Sequence, residues 1–363
     1  MTPTPIAFFV SSHGFGHAAR SAAVMEALYN RLPASRFSIF TGVPRWFFED
    51  SMTAPFEYVE CLTDVGLVQR TPMDEDLSAT LGELSTFLPL RATVVEQAVK
   101  AVRRSRSRLI VSDISPLGIA AAAELGLPCA LIENFTWDWI YQAYLHDEPR
   151  FASFIAELHH LYSSVSLRIQ AEPFCEPVAG SAQVAPISRS VRQSPEEIRG
   201  KLQLSEKSAL VLVTMGGFPA SFRFLERLHR FPDITFVVPG AADTLHRDQN
   251  LILIPHRTTF QHADLISAAD MVVGKLGYST LAEAYQTATP YLFIQRRRFP
   301  ESPALARFAR QRMACGEITE TELEAADWPN RLPDLRAGRP SPTKEPTGSH
   351  QTADLLLDLL ENG

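Results

Sequence analysis

Among the 363 residues, two histidines and an aspartate have the types and spacing to move a proton. His13 and His17 stand in Ser11-Ser12-His13-Gly14-Phe15-Gly16-His17, directly after the apolar run 6–10. That run has the pattern of a buried strand, and residues 18–32 have that of a helix, so both histidines fall at the C-terminal end of a strand. An imidazole there suits general-base work near neutral pH; the alternative for His17 is a cap on the loop. Asp113 follows a second strand pattern, residues 109–111. It is placed either to orient a histidine from the first loop, as a carboxylate orients the base in a triad, or to cap the helix predicted over 117–125. No metal site is expected: His13-x-x-x-His17 lacks the internal Glu of a zincin and a third ligand.

A second stretch suits anion binding. Residues 271–273 read as a short buried strand, 274–277 as a Gly-bounded turn, and Ser279 as the cap of a helix running to about residue 288. A tight turn feeding a helix N-terminus presents free N–H groups to an anion, and the helix dipole favours it. Glu283 lies one turn below Ser279 on the same face, where it would accept hydrogen bonds from ribose hydroxyls. The pattern fits a sugar-nucleotide pocket or an ordinary strand–turn–helix unit. Gly274-Lys275 is no P-loop, because Ala269 stands where the first Gly belongs. Gly14-Phe15-Gly16-His17-Ala18-Ala19 matches a dinucleotide fingerprint formally, but Thr41-Gly42 stands where the acidic residue should close the second strand. An oxidoreductase is therefore disfavoured.

The elements that must hold these groups alternate strand and helix in both halves, which predicts α/β architecture: two Rossmann-like parallel-sheet domains facing across a cleft. We place an N-terminal domain over 1–175, a Pro-rich linker over 176–190 and a second domain over 191–336. A mobile, polar linker over 337–349 and a docked helix over 350–363 follow. Another Gly-rich strand-to-helix turn, Met215-Gly216-Gly217-Phe218, would bring backbone N–H groups to a diphosphate before a helix over 220–229. Asn134-Phe135-Thr136-Trp137-Asp138-Trp139 follows a strand and reads as a wall for stacking sugars, or as an aromatic lid on the core. The basic run 100–108 reads first as a solvated helix end and second as peripheral contact with an anionic membrane surface.

Composition narrows the class further. A formal net charge of −7 and a sequence pI of about 5.8 argue against nucleic-acid binding. The four cysteines are far apart in sequence, which suits a reducing cytoplasm and neither a disulfide frame nor a metal. No basic n-region precedes the first strand, and no apolar run is long enough to span a membrane, so neither a signal peptide nor a membrane span is expected.

Together these motifs resemble the GT-B glycosyltransferases, in particular the MurG-like enzymes. The nearest likeness is to the glycosyltransferase-like N-terminal region of plant L-arabinokinases and its stand-alone bacterial relatives. It is carried by residues 12–20 (Ser-His-Gly-Phe-Gly-His-Ala-Ala-Arg), Ser112-Asp113, residues 134–139, residues 274–283 (Gly-Lys-Leu-Gly-Tyr-Ser-Thr-Leu-Ala-Glu) and Arg296-Arg297-Arg298. The resemblance implies a hexosyl- or N-acetylhexosaminyl-transferase that takes a nucleotide sugar, usually UDP-linked, as cosubstrate, with no further cofactor and no metal. It puts Gly216, Gly217, Gly277 and Ser279 at the diphosphate, Glu283 at the ribose and His256 near the base, with Lys275, Tyr278 and Arg296 beside them. It makes His17 the base and Asp113 its partner, with His13 adjacent, and puts Phe15, Asn134, Trp137 and Asp138 on the side of an unspecified acceptor. The acidic-Gln pair usual after the last strand is replaced by Arg296-Arg-Arg-Phe-Pro-Glu301. The likeness is to that region alone, so it implies no arabinokinase activity. The alternatives are a nucleotide-sugar epimerase on the same fold, using Asp113, Glu133, Asp138 and Glu301 around the sugar ring, and a non-catalytic nucleotide-sugar-binding protein.

Overall fold

The structure, a computed structural model, describes residues 3–71, 73–205, 208–215, 224–341 and 347–362. The chain divides into two compact units. Unit 1 is Met1–Ile187 with Arg298–Glu301 and Pro346–Gly363; unit 2 is Ser188–Arg297 with Ser302–Glu345.

Unit 1 begins with β1 (Thr4–Val10), whose last five residues are all buried. A strand apolar on both faces needs helices on both sides, and helices alternate with the strands along the chain. They follow as α1 (Phe15–Arg31), β2 (Ser35–Thr41), α2 (Arg45–Ser51) and β3 (Phe56–Glu60), then the ribbon β4 (Gln69–Thr71) and β5 (Asp74–Glu75). Next come α3 (Leu77–Phe87), α4 (Ala92–Ser105), β6 (Leu109–Asp113), α5 (Pro116–Leu125), β7 (Cys129–Glu133), α6 (Trp137–Gln142), α7 (Phe151–Tyr162), β8 (Leu167–Ala171) and β9 (Ala182–Val184). Among the described residues the sheet has seven parallel strands in the order β3-β2-β1-β6-β7-β8-β9. The segment read as a linker therefore holds a sheet strand, β9, whose three residues are too few to show a period.

Unit 2 repeats the plan. Its elements are α8 (Pro195–Lys201), β10 (Ala209–Thr214), β11 (Ile234–Pro239), β12 (His246–Asp248), β13 (Leu251–Ile254), α9 (His262–Ala268), β14 (Met271–Lys275) and α10 (Tyr278–Gln286). They continue with β15 (Tyr291–Ile294), α11 (Ser302–Arg312), β16 (Cys315–Glu317), α12 (Glu320–Ala325) and α13 (Leu332–Ala337). The order is β12-β13-β11-β10-β14-β15-β16, parallel except for β12 against β13. Where a helix over 220–229 is expected, residues 225–230 form a 3-10 turn, and 216–223 lie outside the described residues.

The C-terminal helix α14 (Gly348–Asn362) belongs to unit 1. It buries Thr352, Ala353, Leu356 and Leu360 and packs on α1, while Gln351 Oε1 accepts the Ala185 N–H beside β9 at 2.7 Å. Among the described residues no helix is long and apolar enough to cross a membrane.

In both sheets the winding reverses once. The chain runs outward from β1 through β2 to β3, then restarts at β6 on the other side; in unit 2 the reversal lies between β10 and β14. Ligand groups in open α/β sheets gather beyond the strand C-termini at such a switch point. His17 follows β1 and Asp113 ends β6; Met215 follows β10, and Leu276-Gly277 follows β14.

Candidate active site

At the switch point of unit 1 the sequence assembles a buried charged cluster. His17 lies in the first turn of α1, and its Nδ1 stands 2.8 Å from Asp113 Oδ1. Arg20, three residues on and hence on the same helix face, grips the same carboxylate with two donors: Nε to Oδ2 at 2.8 Å and Nη2 to Oδ1 at 2.6 Å. Ser21 Oγ adds a donor to Oδ2 at 3.1 Å. Asp113 is fully buried and Arg20 nearly so. Burial pushes the Asp113 carboxyl up, but the charge and hydrogen bonds of Arg20, with those of His17, outweigh it and hold the group at about 2. Arg20 Nη2 also stands 3.1 Å from His17 Nδ1. When the imidazole carries its proton on Nδ1, the Asp113 anion accepts from it and Nε2 is left for a substrate proton. The expected cap role of Asp113 falls to Ser115, whose side chain accepts the Gly118 N–H ahead of Pro116.

Asn134, after β7, extends this cluster. Its Oδ1 accepts from Arg20 Nη1 at 2.6 Å and its Nδ2 donates to Glu301 Oε1 at 2.7 Å. Its amide is thereby committed inside the protein, at 1% exposure, which corrects the acceptor-side expectation for it. Trp137 is corrected likewise: it is core, 1% exposed, with Nε1 donating to Asp64 Oδ2 at 2.7 Å and its ring against Tyr141. Phe135, Trp137 and Phe299 form the aromatic lid, not a sugar-stacking wall. Buried Asp138 is engaged by His159 at 3.1 Å. His13 packs edge-on against Trp137, and its ring occupies space that only a glycine at position 66 leaves open: a Cβ there would stand 2.3 Å from its Nδ1. Phe15, half-buried, stacks on Phe47 with ring centroids 4.9 Å apart. Burial raises the Asp64 carboxyl, against hydrogen bonds from Ser11 and Trp137.

In unit 2 the strand β14 runs through Gly274 and Lys275, so the turn is only Leu276-Gly277. Gly277 takes the cap position with no side-chain bond, Tyr278 and Ser279 lie in the first turn of α10, and Ser279 does not cap it. Gly277 and Ser279 stay partly exposed beside that helix N-terminus; Tyr278 is buried and Lys275 nearly so. Glu283 is buried, its Oε1 bonded by Arg189 Nε and its Oε2 by His262 Nδ1, both at 2.7 Å. Burial raises this carboxyl, and Arg189 with His262 brings it down to about 2. His256, exposed after β13, lays its ring against Gly240. Arg296, after β15, is buried. Gly216 and Gly217 lie outside the described residues.

Comparison with known proteins adds the fold relationship. No protein-family profile matches the chain. L-arabinokinase of Arabidopsis thaliana is 29% identical over 329 residues, covering 89% of this chain and 31% of that protein, so the chain spans about a third of its relative's length. Among solved structures, a UDP-glucosyltransferase from Polygonum tinctorium aligns with TM-score 0.63 over 100% of both chains at 13% identity. MurG from Acinetobacter baumannii aligns with TM-score 0.56, covering 98% of this chain and 100% of its own, at 15% identity. The chain has the GT-B fold. At these identities the structural likeness is one of fold.

Within this GT-B chain, two members of the charged cluster escape a reading of proton chemistry from sequence alone: Arg20, and Glu301 as a partner of Asn134. The signal for Arg20 was present. Residues 17–25 of α1 are all buried, and a helix apolar or small all round is an interior one, where a charge requires a partner. Nothing local signals Glu301, because Arg298–Glu301 joins unit 1 although unit 2 flanks it in sequence.

Proposed function

We propose that the chain is a glycosyltransferase that moves a sugar from a nucleotide-sugar donor, UDP-linked, to a hydroxyl acceptor. The observation that carries this reading is the buried His17–Asp113 pair at the switch point of unit 1. An imidazole with Nδ1 tied to a permanent anion has the tautomer required to take the acceptor proton on Nε2. The names of the fold relatives, a UDP-glucosyltransferase among them, support the reaction class. Unit 2 supplies the donor contacts in this reading. Gly277 and Ser279 meet the diphosphate at the N-terminus of α10, together with Gly216 and Gly217. Glu283 is the ribose contact in this reading, with its carboxylate held by Arg189 and His262. His256 meets the base; Lys275, Tyr278 and Arg296 complete the set, and Phe15 and His13 flank the acceptor. Catalysis then rests on positioning and on charge stabilisation of the leaving diphosphate.

The epimerase reading has little support. Asp113, Glu133, Asp138 and Glu301 are buried, and each is hydrogen-bonded within the protein rather than presented to a ring. A cytoplasmic setting goes with the proposal, since all four cysteines are free thiols.

The test is sugar transfer and donor hydrolysis across a panel of UDP-sugars, for wild type and His17→Ala. Turnover in the variant should fall by at least about 10²-fold, the lower end of a general base's contribution. Equal turnover would remove His17 from the reaction. Tight UDP binding by wild type without turnover of any donor would return the chain to the binding-protein reading.

A further inference from the structure

Asp113 does not hold His17 by itself. Oδ1 accepts from Arg20 Nη2 and lies 2.8 Å from His17 Nδ1, which also stands 3.1 Å from that Nη2, and Oδ2 accepts from Arg20 Nε and Ser21. Arg20 is in turn held at Nη1 by Asn134, whose amide is oriented by Glu301: were it flipped, Nδ2 would face the guanidinium as a second donor and Oδ1 would face a carboxylate. The hydrogen bonds therefore form one continuous chain from Glu301 through Asn134, Arg20 and Asp113 to His17. Its members come from four separate segments of the sequence: α1, the end of β6, the residue after β7 and Glu301.

Resting on the transferase reading above, we propose that Arg20 is a positioning residue for the base, and that Asn134 and Glu301 are the struts that hold Arg20. The physical reason lies in the burial of Asp113. A carboxylate removed from water favours its protonated form, and here the Arg20 guanidinium is the principal group opposing that. A protonated Asp113 would donate to His17 Nδ1, drive the ring proton to Nε2 and leave no base facing the acceptor. The other charged groups around the pair are Asp64, which faces His17, and Glu133, which faces Arg20. Both are carboxylates, so neither replaces the guanidinium.

The experiment compares wild type, Arg20→Gln, Arg20→Lys, Glu301→Ala and Glu301→Gln by two readouts. The first needs no substrate. Histidine-labelled protein at about pH 8.5, some two units above the ordinary histidine value, reports the His17 tautomer by long-range proton–nitrogen NMR, with His17→Asn identifying the signal. Wild type should be wholly Nδ1–H, Arg20→Gln a mixture with Nε2–H, and Glu301→Ala a smaller shift the same way. The charge-keeping Arg20→Lys and the bond-keeping Glu301→Gln should recover much of the wild-type signal. The second readout is turnover. In Arg20→Gln, kcat should fall roughly tenfold to a hundredfold, within the span of a general base's contribution, with the donor KM unchanged. The acid limb of its rate profile should move to higher pH, as Asp113 takes up its proton earlier. Folded Arg20→Gln and Glu301→Ala proteins with a wholly Nδ1–H His17 and an unmoved acid limb would overturn the proposal. If Arg20→Gln does not fold, Glu301→Ala decides alone by the same tautomer measurement. A wild type without turnover would count against the transferase reading while leaving the tautomer result to decide this one.

Discussion

Asp113 and Glu283 are buried carboxylates, one in each unit, each held at about 2 by an arginine and a histidine. Their ordinary values are 3.8 and 4.5. A depressed carboxylate stabilises the folded state fully above its unfolded value, and that stabilisation is lost as pH falls through the folded value. Each group should therefore contribute about 2 to 3 kcal/mol at neutral pH, lost between about pH 5 and pH 2. Denaturant titrations across that range should show unit 1 losing this increment in wild type and not in Asp113→Asn, and unit 2 losing it in wild type and not in Glu283→Gln. Parallel pH curves for wild type and variant would show that these pairs are not linked to folding. The two residues differ in how readily the sequence discloses them. Asp113 stands out because it ends an apolar run, although its position there fits a helix cap as well as a partner for histidine. The function of Glu283 is harder to read: its helical spacing from Ser279 is visible in the chain, but its partners Arg189 and His262 come from other segments.

β14 depends on one glycine. Gly274 lies at φ +149, and a Cβ there would stand 1.7 Å from the carbonyl oxygen of Thr214 on β10, the neighbouring strand across the switch point. No rotamer relieves a clash with backbone, so Gly274→Ala should cost at least about 3 kcal/mol, more than an ordinary substitution. Because β14 leads directly into Leu276-Gly277 and α10, nucleotide binding should weaken with it. Thermal unfolding and UDP calorimetry of the variant check both; a variant as stable as wild type would mean the strands can separate at little cost. The strands themselves were readable, since apolar runs bounded by Gly and Pro recur through both halves. Element ends were less so. A strand prolonged by two residues, through Gly274 and Lys275, moves Ser279 from the cap into the first turn of α10. The aromatic segment 134–139 shows a different limit: Trp and Phe give the same pattern whether they face solvent or a core, and only the position of Asp64 shows that Trp137 faces inward.

The chain is not two consecutive halves, because the last helix returns to the first unit. α14 covers α1, the helix that carries His17 and Arg20, and an Arg31–Asp354 ion pair at its exposed edge adds little. What holds it is apolar: Leu356 and Ala353 are fully buried and Leu360 is 8% exposed. At ordinary values for buried side chains this docking is worth roughly 4 kcal/mol to unit 1. Unit 2 has its own sheet and core and takes no strand from α14. A chain ending before Gly348 should therefore show a lowered unfolding transition for unit 1 in calorimetry and an unshifted one for unit 2. A UDP-sugar should raise the unit 2 transition equally in the full and shortened chains, by mass action on the donor site proposed for unit 2. Turnover should nonetheless fall in the shortened chain, because the helix bearing the base has lost its outer support. Loss of nucleotide binding together with α14 would contradict the assignment of the donor site to unit 2, and an unmoved unit 1 transition would show that α1 is held in place by the sheet alone.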